Sequence, residues 1–331
     1  MAGLVTAVSV LRDLIDAGLP VEADAPIGER TWYRCGGRAD LLVRPRTAAE
    51  LQEVRRRAVD AGVPFRVLGG GANLLVPEGE VQGITAKLDA PGFCEIRAEG
   101  SSLIAGGGVD LYTLVSAAAR AGLGGLDRLA GIPGTVGGAV QMNAGGAHGS
   151  VSDLLSWMTL LSSGSQVLRW IGDDSEFDFG YRRSGLGGYV VLEAEFALTP
   201  EDPAAVRARV RERLAVKKAQ QPLAAKSAGC AFKNPSGASA STGDPADPRT
   251  WAAGKLLDAA GCKGLRVGSA EVSHRHANFV TVDAGGRAAD ALAVMNDAAR
   301  RVADRFGVEL EREVVVWDSG DGPPPPRTRV G

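Results

Sequence analysis

Apolar side chains recur at helical spacing in three stretches of this chain. In LQEVRRRAVDAG, residues 51 to 62, Leu51, Val54 and Ala58 fall three or four apart until Gly62 ends the run. Thr47 opens that stretch with T-A-A-E, the pattern of a helix-capping box. VDLYTLVSAAARAG, from 109 to 122, puts Leu111, Leu114, Val115 and Ala118 on one side, with Asp110 at the helix start. The clearest amphipathic run carries Leu292, Met295, Ala298, Val302 and Phe306. EDPAAVRARVRERLAVKKAQQP reads as a basic connecting helix broken near Pro222, and WAAGKLLDAAG as a shorter helix. Strands are expected at RADLLVRP, where Pro45 stops the run, on both sides of GGGAN in PFRVLGGGANLLV, at YVVLEAEFAL, and over VELEREVVVW, residues 308 to 317. The first of these make a strand-helix-strand unit with a glycine loop at the carboxyl end of its second strand.

Composition sharpens this picture. The 331 residues exceed one ordinary core and suit two or three packed units. Glycine, with 45 residues, is well above the usual ~7% and has no collagen period. It points to tight turns and close backbone approaches. The formal charge is -2, from 37 basic and 39 acidic side chains, which argues against electrostatic nucleic-acid binding. Cysteines 35, 94, 230 and 262 lie far apart without C-x-x-C or suitably spaced histidines, so neither zinc nor a disulfide framework is expected. MAGLVTAVSVLRDLIDAG reads as a short helix, not a signal peptide, and no run approaches the ~18 apolar residues of a membrane span. A cytoplasmic location is expected. SGASASTGDPADP reads as an exposed loop, and 318–331 as a disordered, proline-rich tail.

The candidate chemistry begins with two glycine clusters. Gly69, Gly70 and Gly71 follow a strand, and Asn73 adds a polar group. Backbone N–H groups there can converge on a pyrophosphate, although neither G-x-G-x-x-G nor a Walker lysine is present. A tight strand-to-strand turn is the ordinary alternative. GIPGTVGGAVQMNAGG adds Gly131, Gly134, Gly137, Gly138, Gly145 and Gly146 with few charges. The two clusters together fit a large dinucleotide-like ligand held between two lobes. In AAKSAGCAFKNP, Cys230 could be a redox thiol, a metal ligand, a nucleophile, an acid or a small core side chain.

The ordered set TWYRCGGRAD, VLGGGANLLV, GIPGTVGGAVQMNAG, FGYRRS, SAGCAFKNP, HANFV and LEREV resembles the UDP-N-acetylenolpyruvoylglucosamine reductases. The resemblance implies an α+β protein with a two-subdomain FAD-binding module of the vanillyl-alcohol-oxidase/PCMH type and a C-terminal α+β substrate-binding domain. The expected divisions are 1–88, 89–222 and 223–317. It also implies non-covalent FAD, NADPH as co-substrate, and a UDP-sugar bearing an enolpyruvyl ether, which peptidoglycan synthesis converts to UDP-N-acetylmuramate. Neither a nucleic acid, a membrane nor an obligate protein partner is expected. Another FAD-dependent oxidoreductase on the same scaffold is the rival.

By that resemblance Arg182 in YRRS binds the substrate carboxylate, Cys230 replaces the family's proton-donating serine, and Glu313 cooperates in protonation, with Glu311 its local competitor. Tyr181, Lys233, Asn234, His276 and Asn278 match substrate-contacting positions. Lys217 or Lys218 supplies a further basic contact. Gly69, Gly70, Gly71, Ala72, Asn73, Gly131, Ile132, Pro133, Gly134, Thr135, Gly137, Gly138, Asn143, Ala144 and Gly145 match the FAD site. Ala72 departs from the family's usual serine and removes one hydroxyl donor. The short spacing after Tyr181 matches the form that lacks an extra tyrosine-bearing loop.

Overall fold

The computed structural model of the chain describes residues 10, 12–172, 177–222, 224–235, 244 and 247–317. The expected tail at 318–331 and nearly all of the expected loop at 236–248 lie outside the described residues. Residues 12–16 are helical, as the N-terminal pattern predicts.

In the first sheet, β1 (Val21–Ala25) runs antiparallel to β2 (Gly36–Val43), and β2 runs parallel to β4 (Leu74–Lys87). β3 (Phe65–Leu68) is also parallel to β4. Between β2 and β3 lies α1 (Ala48–Asp60), whose Leu51, Val54 and Ala58 are buried. Its Thr47 cap accepts from the Glu50 N–H, but the Glu50 carboxylate takes the Arg46 N–H, one residue before the reciprocal partner of a capping box. Leu68 stands opposite Lys87, the last residue of β4. Residues 69–73 therefore make no tight strand-to-strand turn. Parallel neighbours require the loop to run back along the sheet before β4 begins.

The second sheet is antiparallel. It contains β5 (Ile96–Glu99), β6 (Ser102–Gly106), β7 (Leu155–Leu161), β8 (Val167–Ile171) and β9 (Val190–Ala197), in the order β8-β7-β9-β6-β5. α2 (Leu111–Ala121) starts at Asp110, whose carboxylate accepts from the Thr113 N–H, and ends at left-handed Gly122. The second glycine cluster contains a six-residue helix, α3 (Val136–Gln141), which its sequence periodicity does not announce. α4 (Pro203–Gln220) buries Val206 and Val210 in the core shared by α2 and this sheet.

The remaining segment combines α5 (Ala253–Ala259), β10 (Arg266–Val267), β11 (Ala270–Val272), β12 (Val280–Val282) and α6 (Ala288–Phe306). Met295, Ala298 and Val302 of α6 are buried there, with Tyr33, Cys35 and Leu75 contributed from the first sheet's side. The expected strand over 308–317 is corrected: only β13 (Val315–Val316) is regular, parallel to Leu74 and Leu75 of β4. Residues before it meet the irregular 230–233 segment one contact at a time, through a Phe232–Arg312 bridge and the Glu313 N–H donating to the Ala231 carbonyl. That irregular return carries Glu313 beside Cys230. Among the described residues no helix is long and apolar enough to cross a membrane.

Candidate active site

Three separated segments meet where β13 returns to the first sheet. Arg182 Nε donates to Glu313 Oε1 at 2.5 Å, across 131 positions of sequence. Both side chains are mostly buried, with relative exposures of 17% and 13%. Arg182 adopts a left-handed backbone at φ 54°, an uncommon state for a non-glycine residue, and its guanidinium lies 4.9 Å from the Tyr181 ring centroid. The loop carrying it is fixed from below. Asn143 Nδ2 donates to the Gly180 carbonyl at 2.9 Å, Asn143 Oδ1 accepts from the Ser152 N–H, and Ser184 Oγ donates to the Gln141 carbonyl at 2.7 Å. The Asn143 side chain thus braces the YRRS loop.

Cys230 faces the same pair. Burial pushes its thiol up to about 12; Glu313 adds to the rise, while Arg182 and Lys217 oppose it. The thiol therefore stays protonated across neutral pH. Burial also raises the Glu313 carboxyl above the ordinary carboxylate range, more than Arg182 offsets. For Arg182, burial disfavours the charge, but Glu313 outweighs it and the guanidinium is held charged. Glu311 is different: exposed and paired with Lys233 Nζ at 2.6 Å.

Lys217 enters the cluster and Lys218 does not. Lys217 is half-buried, and burial pushes its ammonium down to about 8. A Cβ on Gly131, at φ 73°, would lie 2.8 Å from Lys217 Cδ, so glycine there leaves the lysine its path. The helical phase carries the discriminating signal, because Val206, Val210 and Lys217 share one face of α4 while Lys218 points outward. Arg209 and Arg213 lie on that face too and are engaged by buried Asp127.

Other expected residues hold the scaffold. Tyr181 Oη accepts from the Asn234 N–H, and Asn234 Oδ1 accepts from the Ala253 N–H at the start of α5. Asn278 is buried and spends its amide on both backbone groups of Phe232, two residues from Cys230. His276 packs edge-on to Phe279, and burial pushes its imidazole down. Asn73 joins the glycine loop to this centre: its amide donates to the Glu313 carbonyl at 3.0 Å and its carbonyl accepts from the Val315 N–H.

The residues of the glycine loops fit an FAD. Gly71 and Ala72 are buried, yet their N–H groups have no acceptor among the described residues. A Cβ on Gly70 would stand 2.8 Å from Gly134 Cα, so the two loops approach backbone to backbone. Thr135 caps α3 by accepting from the Gly138 N–H. Ile132 and Ala144 pack on the second sheet's core. Gly145 pairs with Ser150, and Pro133 is only partly exposed. A cleft continues from Gly69 and Thr135 past Lys87, Gly107, Gly138 and Tyr189.

Comparison with known proteins decides the family. The model of the FAD binding domain matches residues 39–170, and that of the UDP-N-acetylenolpyruvoylglucosamine reductase C-terminal domain matches 221–317. The UDP-N-acetylenolpyruvoylglucosamine reductase of Moorella thermoacetica is 37% identical over 303 residues, covering 91% of this chain and 95% of that one. The chain belongs to the UDP-N-acetylenolpyruvoylglucosamine reductase family. A Rubrobacter xylanophilus reductase of the same name is 40% identical over 296 residues, 88% of this chain and 94% of its own. The crystal structure of the Thermus caldophilus reductase superposes with a TM-score of 0.73 at 34% identity, over 91% of this chain and 99% of that one. The α+β architecture and FAD-binding module expected for this reductase family are therefore present.

Proposed function

We propose that this chain reduces UDP-N-acetylglucosamine enolpyruvate to UDP-N-acetylmuramate with NADPH, using non-covalent FAD, for peptidoglycan precursor synthesis in the cytoplasm. The meeting of Arg182, Cys230 and Glu313 beside the glycine loop carries this reading. When bound, the flavin supplies transfer of hydride from NADPH to the terminal carbon of the enolpyruvyl group. Addition there leaves negative charge on the neighbouring carbon and its carboxylate. The Arg182 guanidinium, anchored by Glu313 and by the Asn143 brace, is placed to hold that carboxylate and stabilise the charge. Cys230 is the proton donor to the carbon. Its raised thiol keeps the proton at neutral pH, and Glu313 helps return one to sulfur. Lys217 is the basic group for the anionic substrate, and Tyr181, Lys233 and Asn234 shape the substrate side around it.

The four cysteines are free, consistent with a reducing compartment. The same reading divides the chain at 1–88, 89–222 and 223–317, with β13 lending a strand back to the first sheet.

Steady-state assay of the FAD-loaded protein tests the reading. Sustained NADPH oxidation, beyond the one equivalent that reduces the flavin, is expected only with the enolpyruvyl substrate, and the product should be heavier by two hydrogens. NADPH oxidation that ignores this substrate would contradict it. A pH prediction follows from Lys217, which is charged below about 8 and neutral above. The kcat/KM for the UDP-sugar should fall as pH rises through that value, and K217M should lose this break. A profile unchanged in K217M would remove Lys217 from substrate binding.

A further inference from the structure

The cleft beyond the glycine loop lies at the carboxyl ends of β3 and β4, where open parallel sheets receive ligands. Lys87, the last residue of β4, forms part of its wall. Its Nζ donates to the Gly69 carbonyl at 3.0 Å, at the first residue of the loop. An ammonium has three N–H donors, so this bond leaves two. The two other cations acting on Lys87 have carboxylates of their own: Arg44 pairs with Asp89 at 2.5 Å and Arg30 with Glu22 at 2.7 Å. Lys87 forms no ion pair among the described residues. Burial accordingly disfavours its charge, with Arg44 and Arg30 adding to the effect and Asp89 and Cys94 opposing it.

A second observation comes from the loop itself. Ala72 is buried with its methyl group turned toward Gly134, at 3.7 Å from where a Cβ on that glycine would stand. Position 72 itself offers no hydroxyl, so the loop contributes backbone N–H groups, with the Thr135 hydroxyl of the neighbouring loop beside Gly69. A half-buried ammonium that bonds no carboxylate, at one end of such a loop, has donors free for an anion; Asp89, the carboxylate that lines the same cleft, is paired with Arg44. The anionic atoms of FAD are its phosphates.

We propose that Lys87 is a phosphate contact for the adenosine diphosphate half of the flavin, supplying the attraction that Ala72 does not. This inference rests on the FAD reading of the cleft. It assigns Lys87 to cofactor retention and leaves the reacting end to Arg182, Cys230 and Glu313.

The test is titration of the apoprotein with FAD, followed by quenching of flavin fluorescence at several salt concentrations, with riboflavin as the phosphate-free probe. K87M should weaken FAD binding by about tenfold or more and flatten its salt dependence, because one screened charge contact is lost. Riboflavin binding should not change, K87R should retain most of the FAD affinity, and A72S should restore part of it in the K87M background. Unchanged FAD affinity in K87M, or equal weakening of FAD and riboflavin, would overturn the proposal; the second result would make Lys87 only a brace for Gly69. If K87M does not fold, the K87Q variant is read by the same criteria. A parent protein that binds no FAD would instead overturn the flavin reading itself.

Discussion

C230A is expected to slow transfer from the reduced flavin to the enolpyruvyl substrate by about 10²- to 10⁴-fold, the usual contribution of a positioned acid. Reduction of the same variant by NADPH should proceed at the parental rate, because that half-reaction needs no proton at the substrate carbon. The asymmetry is the informative part. A change that only loosened the core would slow both halves or lower flavin content. C230S should recover most of the lost rate, since a hydroxyl can also donate a proton from this position. The two variants separate acid from nucleophile: a covalent role for sulfur would not be rescued by serine so readily. Rapid-mixing spectroscopy of both half-reactions reads the result, and equal reoxidation rates for C230A and the parent would refute the acid assignment.

The second large effect is expected at the Arg182–Glu313 pair. E313Q keeps the size and an acceptor near Arg182 Nε but removes the charge and the exchangeable proton. R182M removes the group facing the substrate carboxylate and leaves Glu313 buried without its cation. R182M should lose about 10²- to 10³-fold in kcat/KM, the scale of a lost electrostatic stabiliser. Its stability should also respond to pH. Burial already raises Glu313, and removing Arg182 removes an influence that lowers it. The folded protein then binds a proton that the unfolded chain releases, so stability is greatest at acid pH and falls as pH rises through the elevated folded value. Melting temperatures of R182M and of the R182M/E313Q double variant should therefore diverge at alkaline pH and converge at acid pH. Parallel melting curves across the range would contradict the buried-pair account.

Much of this was legible before folding, for identifiable reasons. Asp110 and the apolar spacing of α2 and α6 are local properties, and those helices lie where the pattern puts them. The glycine clusters were legible as backbone surfaces, because glycine removes the side chain that would block a close approach. The parallel pairing of β3 with β4 was not, since a loop of five residues usually joins antiparallel strands. Nor was the exchange between Asn73 and Glu313, which depends on a strand returning from the far end of the chain. Asn143 shows a different limit. Its place in a glycine-rich motif suited a cofactor contact, and its bonds to the Gly180 and Ser152 backbones add a bracing role that the motif does not announce. Lys217 could have been separated from Lys218 by following the buried face set by Val206 and Val210. Lys87 carries no comparable pattern; only the fold brings it to the cleft.

One anaerobic experiment addresses the central claim directly. The FAD-loaded protein is bleached with one equivalent of NADPH, and UDP-N-acetylglucosamine enolpyruvate is then added without oxygen. The account predicts that flavin absorbance returns, with UDP-N-acetylmuramate formed in equal amount to the flavin reoxidised. Flavin that stays bleached until air is admitted would contradict the account and point to another oxidoreductase on this scaffold.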